Sequence, residues 1–143
     1  ARVAARSAGR AREPFVDEVW VAEESEKREE RAASMGDAVE VGRAISRSNL
    51  LKCAIHGQDP NWGRVLSAIG TTSAQFEPDA VDVAINGVWV CRAGSIGESR
   101  DLVDMSERVV RITVNLGAGL EQATLWTNDL THDYVHENSA YAT

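Results

Sequence analysis

The sequence predicts an α/β fold, a layered sandwich in which helices pack on a mixed, largely antiparallel sheet. Apolar residues recur at helical spacing in the segments 36–48 and 60–70, whereas they alternate with polar residues in 81–92 and 108–127. The Asn86-Gly87 pair joins two alternating segments too tightly for the crossover that parallel strands need. This order of elements argues against a Rossmann fold.

The charged segment 1–34 differs in composition from the rest of the chain. Residues 15–21 predict one short strand, and residues 22–33 are strong helix formers of mixed charge, typical of a solvated helix or a disordered segment. We therefore predict two regions, an atypical charged leader of low order over 1–34 and an α/β domain over 35–143.

The domain opens with a helix that Asp37 could cap and that Ser48 and Asn49 end. Residues 51–57 then alternate, which predicts a half-buried strand with Leu51, Cys53 and Ile55 on one face. A second helix is predicted from Asp59 as the N-cap, with Pro60 in the first helical position, to a stop at Gly70.

The second half of the domain reads as two strand pairs and a closing helix. Residues 81–85 and 88–92 form a hairpin around Asn86-Gly87, where both turn positions need a positive φ. Residues 108–116 and 122–127 form the second pair, so Gly117-Ala118-Gly119 is expected to be a hairpin loop and not a phosphate loop. The end of the chain predicts a short helix capped by Asp129 or Thr131.

Composition excludes several functional classes. The 143 residues suit one domain, and a hydrophobic fraction of 43% supports a core. The formal net charge of −7 argues against nucleic-acid and anionic-membrane partners. No apolar run approaches the ~20 residues of a membrane-spanning helix, and no signal-peptide core follows the N-terminal arginines. We expect a cytoplasmic protein.

The segment 56–70 is the first candidate site. It combines a Gly-bounded turn with a helix start that carries Asn61, Trp62 and Arg64, and such a start can bind an anion such as a carboxylate. The alternative is structural: Asp59 only caps the helix and Trp62 only packs.

A metal site is the second candidate. Cys53 and His56 stand three residues apart, and His132 and His136 stand one helical turn apart, so the four side chains could hold zinc. These spacings do not match the usual zinc families. We expect no metal, and we expect Cys53 and Cys91 to be free, buried thiols.

Two segments carry a family resemblance. Residues 43–70 read RAISRSNLLKCAIHGQDPNWGRVLSAIG, and residues 129–143 read DLTHDYVHENSAYAT. They resemble the DPNWGR segment and the carboxyl end of the ornithine acetyltransferase (glutamate N-acetyltransferase) family, the bifunctional protein of arginine biosynthesis. The resemblance indicates the C-terminal part of that family's second, beta fragment.

The resemblance implies an acetyltransferase. Members cleave themselves before a threonine, which becomes the amino-terminal nucleophile and carries acetyl from N-acetylornithine to glutamate; some members also take acetyl from acetyl-CoA. It implies no cofactor and no catalytic residue in this chain, because the threonine motif is not among these residues. Its implied partners are the alpha fragment and the start of the beta fragment, in a hetero-oligomer of cleaved fragments.

The resemblance also implies substrate-binding residues at the carboxyl end. An Asn and a terminal hydroxyl residue contact the amino-acid substrate in the family, and those positions here are Asn138 and Thr143. Without the resemblance, Asn138 would be a helix C-cap and Thr143 a frayed end. The alternatives to an enzyme part are a stand-alone binding module that uses residues 57–64 and an inactive gene remnant.

Overall fold

The computed structural model describes residues 2–6 and 35–140. The predicted strand over 15–21, the helix-forming segment 22–33 and Thr143 lie outside these residues. The helices and strands, in chain order, are β1 (Arg2–Arg6), α1 (Met35–Ser46), α2 (Asn49–His56), α3 (Trp62–Ile69), β2 (Asp82–Ile85), β3 (Val88–Arg92), β4 (Ser95–Ile96), β5 (Val109–Asn115), β6 (Thr124–Asn128) and α4 (His132–Ala140).

The strands form one six-stranded sheet in the order β4-β3-β2-β5-β1-β6. Neighbouring strands are antiparallel except β1 and β6, which are parallel. Helices α1 and α3 pack on the sheet, and α2 packs on α3. This confirms the predicted α/β sandwich with a mixed, largely antiparallel sheet.

The predicted hairpin at Asn86-Gly87 is confirmed. The two residues have φ values of 47° and 84° and connect β2 to β3. Asn86 also accepts a hydrogen bond from the backbone N–H of Arg111 through its side-chain oxygen, at 2.8 Å. The turn is therefore tied to the next strand, β5, on the opposite side of β2 from β3.

The predicted hairpin between 108–116 and 122–127 is wrong in its pairing. Both strands exist as β5 and β6, but β1 lies between them, antiparallel to β5 and parallel to β6. The loop at 117–121 therefore connects β5 to β6 across the intervening strand β1, and it is not a tight hairpin loop. No element was predicted over Arg2–Arg6, because a strand that pairs only with distant segments of the chain leaves no local turn signal.

The predicted strand over 51–57 is also wrong, because these residues belong to α2. Leu51, Ala54 and Ile55 are buried at helical spacing, while Cys53 is exposed. Ser48 begins the helix as its N-cap, accepting the backbone N–H of Leu51 at 3.3 Å. A short apolar run fits both the two-residue period of a strand and the 3.6-residue period of a helix. Here the Ser48 N-cap favours the helix.

The helix starts differ from the predictions by a few residues. Asn61, not Asp59, is the N-cap of α3, and its side-chain oxygen accepts the backbone N–H of Arg64 at 3.2 Å. Asp59 lies two residues before Asn61 and accepts a hydrogen bond from the Asn61 side-chain amide at 2.9 Å. Asp37 lies inside the first turn of α1. The stop of α3 at Gly70 is confirmed.

The core lies between the helices and one face of the sheet. Helices α1, α2 and α3 contribute Val41, Ile45, Leu51, Ile55, Val65 and Ile69. Strands β2, β3 and β5 contribute Val83, Ile85, Val90, Val110, Ile112 and Val114. Helix α4 has no buried residue and lies at the rim of this core. No helix of the described ranges is long and apolar enough to cross a bilayer.

Candidate functional site

A groove of about 490 Å³ lies between α2 and α4. One wall is the polar face of α2, with Asn49 and Lys52, and the floor is the end of β6, with Asn128 and then Leu130. The other wall is α4, which contributes four side chains, Asn138 among them. The volume of the groove lies within the range of about 300–1,000 Å³ that is usual for small-molecule pockets.

The floor of the groove is held in place by several hydrogen bonds. Buried Thr127 donates its hydroxyl to the carbonyl of Ser46 at 2.8 Å, which attaches β6 to the end of α1. The next residue, Asn128, accepts a hydrogen bond from the ammonium of Lys52 at 3.0 Å. The backbone N–H of Leu130 donates to the carbonyl of Lys52 at 3.3 Å. Lys52 therefore contacts the floor through both its main chain and its side chain.

Asn138 lies on the α4 wall, and its side-chain nitrogen donates to the carbonyl of Tyr134 at 2.7 Å. It lies inside the helix, which runs to Ala140, and so is not a C-cap. Its predicted partner Thr143 lies beyond the described residues. Tyr134 and Val135 line the same groove and are both 52% exposed, so they are only half covered by the rest of the domain.

A histidine pair and a buried acid lie close to this groove. His56, at the end of α2, is 3.2 Å from the carboxylate of Asp129, whose side chain is only 1% exposed. The ring of His132 meets the ring of His56 edge to face, with 5.7 Å between centroids. These contacts connect the start of α4 to α2 and set the spacing of the two walls.

The turn at 56–70 has its polar groups engaged with the protein itself. Arg64 donates to the carbonyl of Leu50 at 2.6 Å, and Asp59 lies 3.8 Å from the guanidinium of Arg100. Trp62 lines a second, open groove of about 610 Å³ that also includes Arg100 and Glu98. The contacts of Arg64 and Asn61 support the structural interpretation of this segment over the anion site.

The four residues considered for zinc do not come together as a ligand set. Within 2–6 and 35–140 no group of three or more His, Cys, Asp or Glu side chains is arranged to hold a metal ion. Cys53 is exposed, against the prediction, and Cys91 is buried as predicted. Burial, and then the negative charge of Asp82, raises the pKa of the Cys91 thiol.

Lys52 and Asn128 were not predicted as site residues. Lys52 was assigned to a strand, on the face opposite the apolar residues, and so carried no signal as a groove residue. In α2, Lys52 follows buried Leu51 and lies three residues after Asn49, which places Lys52 and Asn49 on the same side of the helix. Both residues line the groove. Asn128 is recognisable only once β6 and α2 are seen to meet.

The fold and the groove define an α/β-sandwich domain with a largely polar groove between α2 and α4. Comparison with known proteins is more specific. The chain matches the model of the ArgJ family over residues 26–143 and belongs to that family. The match begins within the predicted leader, 1–34, so residues 26–34 of that leader belong to the part of the chain that matches the family.

Several curated relatives carry the same name. The chain is 73% identical over 111 residues to the "Arginine biosynthesis bifunctional protein ArgJ" of Streptomyces avermitilis, covering 78% of this chain and 29% of the relative. The protein of that name from Bifidobacterium longum is 48% identical over 114 residues, covering 77% of this chain and 29% of the relative. The chain thus spans 29% of the length of these relatives.

A solved structure shares the fold. The crystal structure of an arginine biosynthesis bifunctional protein argJ from Bacillus halodurans is 32% identical, with a TM-score of 0.68. The similarity covers 77% of this chain and 54% of that chain. The α/β sandwich described above is therefore the architecture found in the ArgJ family.

Proposed function

We propose that this chain is part of a cytoplasmic acetyltransferase of arginine biosynthesis that moves acetyl from N-acetylornithine to glutamate. Family membership and relatives named for arginine biosynthesis support the pathway. The resemblance at 43–70 and 129–143 supports the reaction and a position at the carboxyl end of the enzyme. The remainder of the same precursor would supply the rest of the active site, and in some members acetyl-CoA serves as a further donor.

The chemistry divides between this chain and that remainder. A threonine hydroxyl outside this chain attacks the acetyl carbonyl carbon of N-acetylornithine, and its proton passes to the departing ornithine amine. The glutamate amine then attacks the threonine ester, forms N-acetylglutamate and restores the hydroxyl. The role of this chain is to bind and orient the two amino acids, and no residue in it is catalytic.

The observation that carries the proposal is the position of Asn138. The side chain that the resemblance assigns to the substrate lines a groove of about 490 Å³, together with one lysine and two further amides. An amide oxygen can accept hydrogen bonds from a substrate N–H, and an amide nitrogen can donate to a carboxylate. Thr143, five positions further on, would add a hydroxyl from the same end of the chain.

A chimaera tests the proposal in an intact enzyme. The matching 111 residues of the Streptomyces avermitilis relative are replaced by those of this chain, and N-acetylglutamate formation is followed. We expect transfer by the chimaera and none by this chain alone. Asn138→Ala or deletion of Thr143 should lower kcat/KM about ten- to a hundred-fold, because a hydrogen bond to a charged substrate group is lost.

Gln122→Ala is the matched control, since it removes an exposed amide that does not line the groove. It should leave kcat/KM and the melting temperature unchanged. A chimaera without transfer activity contradicts the proposed function and favours a binding module or an inactive remnant. Unchanged kinetics in both Asn138→Ala and the Thr143 deletion, or transfer by this chain alone, contradicts the division of roles.

A further inference from the structure

We propose that Lys52 binds the α-carboxylate that both amino-acid substrates share. The inference rests on the proposed function and adds the residue that would select for an amino acid in the groove. Neither the sequence motifs nor the resemblance assigns a role to Lys52. The groove itself points to it, because Lys52 and Asn138 stand on opposite walls above the Asn128 floor.

The charge of the groove favours an anion. Lys52 carries the only full charge among the lining side chains that the structure describes, and none of them is Asp or Glu. The other lining groups are amides, a hydroxyl, a phenol and apolar side chains. A carboxylate would supply the missing negative charge.

The geometry leaves the ammonium able to bind a ligand. An ammonium has three N–H donors, and Asn128 accepts one of them at 3.0 Å. That bond holds the head group at the floor, and the Lys52 side chain is half-buried. Charge-assisted hydrogen bonds from a held, partly desolvated lysine are stronger than those of a mobile surface lysine. Lys52 therefore has the donors and the fixed position that a carboxylate site requires.

Substrate chemistry identifies which carboxylate this is. N-acetylornithine has one carboxylate, next to the nitrogen that carries the acetyl group, and its side chain ends in a cation. Glutamate has the same α-carboxylate and a second one on its side chain. A lysine facing the side-chain end would repel the ornithine cation, because like charges in a groove are unfavourable. The α-carboxylate is the anion that serves both half-reactions.

The test uses the same chimaera and measures the KM for N-acetylornithine and for glutamate separately. Lys52→Met removes the charge and keeps the length of the stem, so we expect both KM values to rise about ten- to a hundred-fold. Lys52→Arg restores a cation and should recover part of the loss for both substrates. Arg108→Met, at an exposed position outside the groove, is the control for net charge and should change neither KM.

Asn128→Asp provides a second variant that keeps Lys52 in place. Its new carboxylate would pair with the ammonium and compete with the substrate, so both KM values should again rise. This variant decides the question if Lys52→Met fails to fold. A rise in the glutamate KM alone would overturn the α-carboxylate assignment in favour of the glutamate side chain.

The two proposals fail in different ways. Normal KM values in Lys52→Met and Asn128→Asp, together with impaired Asn138→Ala, would overturn only the role of Lys52. Normal kinetics in Asn138→Ala and in the Thr143 deletion would overturn the proposed use of the groove itself.

Discussion

His56 and Asp129 form a hydrogen bond of 3.2 Å between residues 73 positions apart in the chain. Asp129 is buried and His56 is partly exposed, so the bond links the end of α2 to the connection between β6 and α4. Loss of one hydrogen bond by a buried carboxylate costs about 1–3 kcal/mol. We expect His56→Ala to lower the free energy of unfolding by that amount, measured by urea denaturation.

His136→Ala is the control for this bond, because His136 is exposed on α4. It should change the unfolding free energy little. Equal effects of the two histidine variants would show that His56 stabilises through helix propensity or general surface effects, not through Asp129.

Glu40 of α1 contacts Ser73, which follows α3, and we expect acid to weaken this contact. The carboxylate accepts the backbone N–H of Ser73 at 2.8 Å and its hydroxyl at 2.9 Å, and these bonds lower the pKa of Glu40 below its ordinary 4.5. A lowered folded-state pKa means that the stabilisation is present above pH 4.5 and is lost as pH falls through the folded-state value.

We therefore expect Glu40→Gln to lower the urea midpoint at pH 6 and to differ less from the parent chain at pH 3. Glu107→Gln, at an exposed position, serves as the control. A Glu40→Gln deficit that stays constant between pH 6 and pH 3 would show that the carboxylate charge is not what stabilises the contact.

The two thiols should react at different rates. Cys53 is exposed, whereas Cys91 is buried and its pKa is raised by burial and by the charge of Asp82. The thiolate is the reactive form, so a raised pKa and burial both slow the reaction. At pH 8 we expect a disulfide reagent to modify Cys53 quickly in the folded chain and Cys91 only after denaturation. Fast labelling of folded Cys53→Ser would contradict this.

Gly94 is expected to be irreplaceable, whereas Gly87 is not. Both have a positive φ, 68° and 84°. A Cβ on Gly94 would lie 2.5 Å from the carbonyl oxygen of Pro78, but a Cβ on Gly87 would have no heavy atom within 4 Å. Gly87→Ala carries only the backbone strain of about 1–2 kcal/mol, and Gly94→Ala adds a clash with main chain. The melting temperature of Gly94→Ala should be clearly the lower; equal values would contradict the contact.

The elements with strong local signals were predictable and those built from distant contacts were not. Asn86-Gly87 predicts its hairpin because the turn needs positive φ at both positions. The segment containing Leu51 and Ile55 fits a strand and a helix equally well until its N-cap is recognised. The strand Arg2–Arg6 enters the sheet between β5 and β6, and no local pattern encodes that choice of neighbours.

The residues of the candidate groove likewise differ in whether the sequence points to them. The resemblance at the carboxyl end assigns Asn138 to the substrate, and this role stays a prediction; the structure places Asn138 in the lining of the groove, whereas its physical pattern alone suggested a helix end. Lys52 and Asn128 are 76 positions apart, and each is an ordinary polar residue in sequence. Only the packing of α2 against the end of β6 makes them a pair.

The double attachment of Lys52 bears on the entropy of ligand binding. A free lysine loses about 2 kcal/mol of rotamer entropy when it is immobilised. Here the ammonium of Lys52 already donates to Asn128, which restrains the side chain, while the bond from the N–H of Leu130 to the carbonyl of Lys52 holds the main chain. Much of that ordering occurs when the chain folds, before any ligand arrives. The groove floor is thus preorganised, and a small anion with few contacts can be bound without first having to order the side chain that holds it.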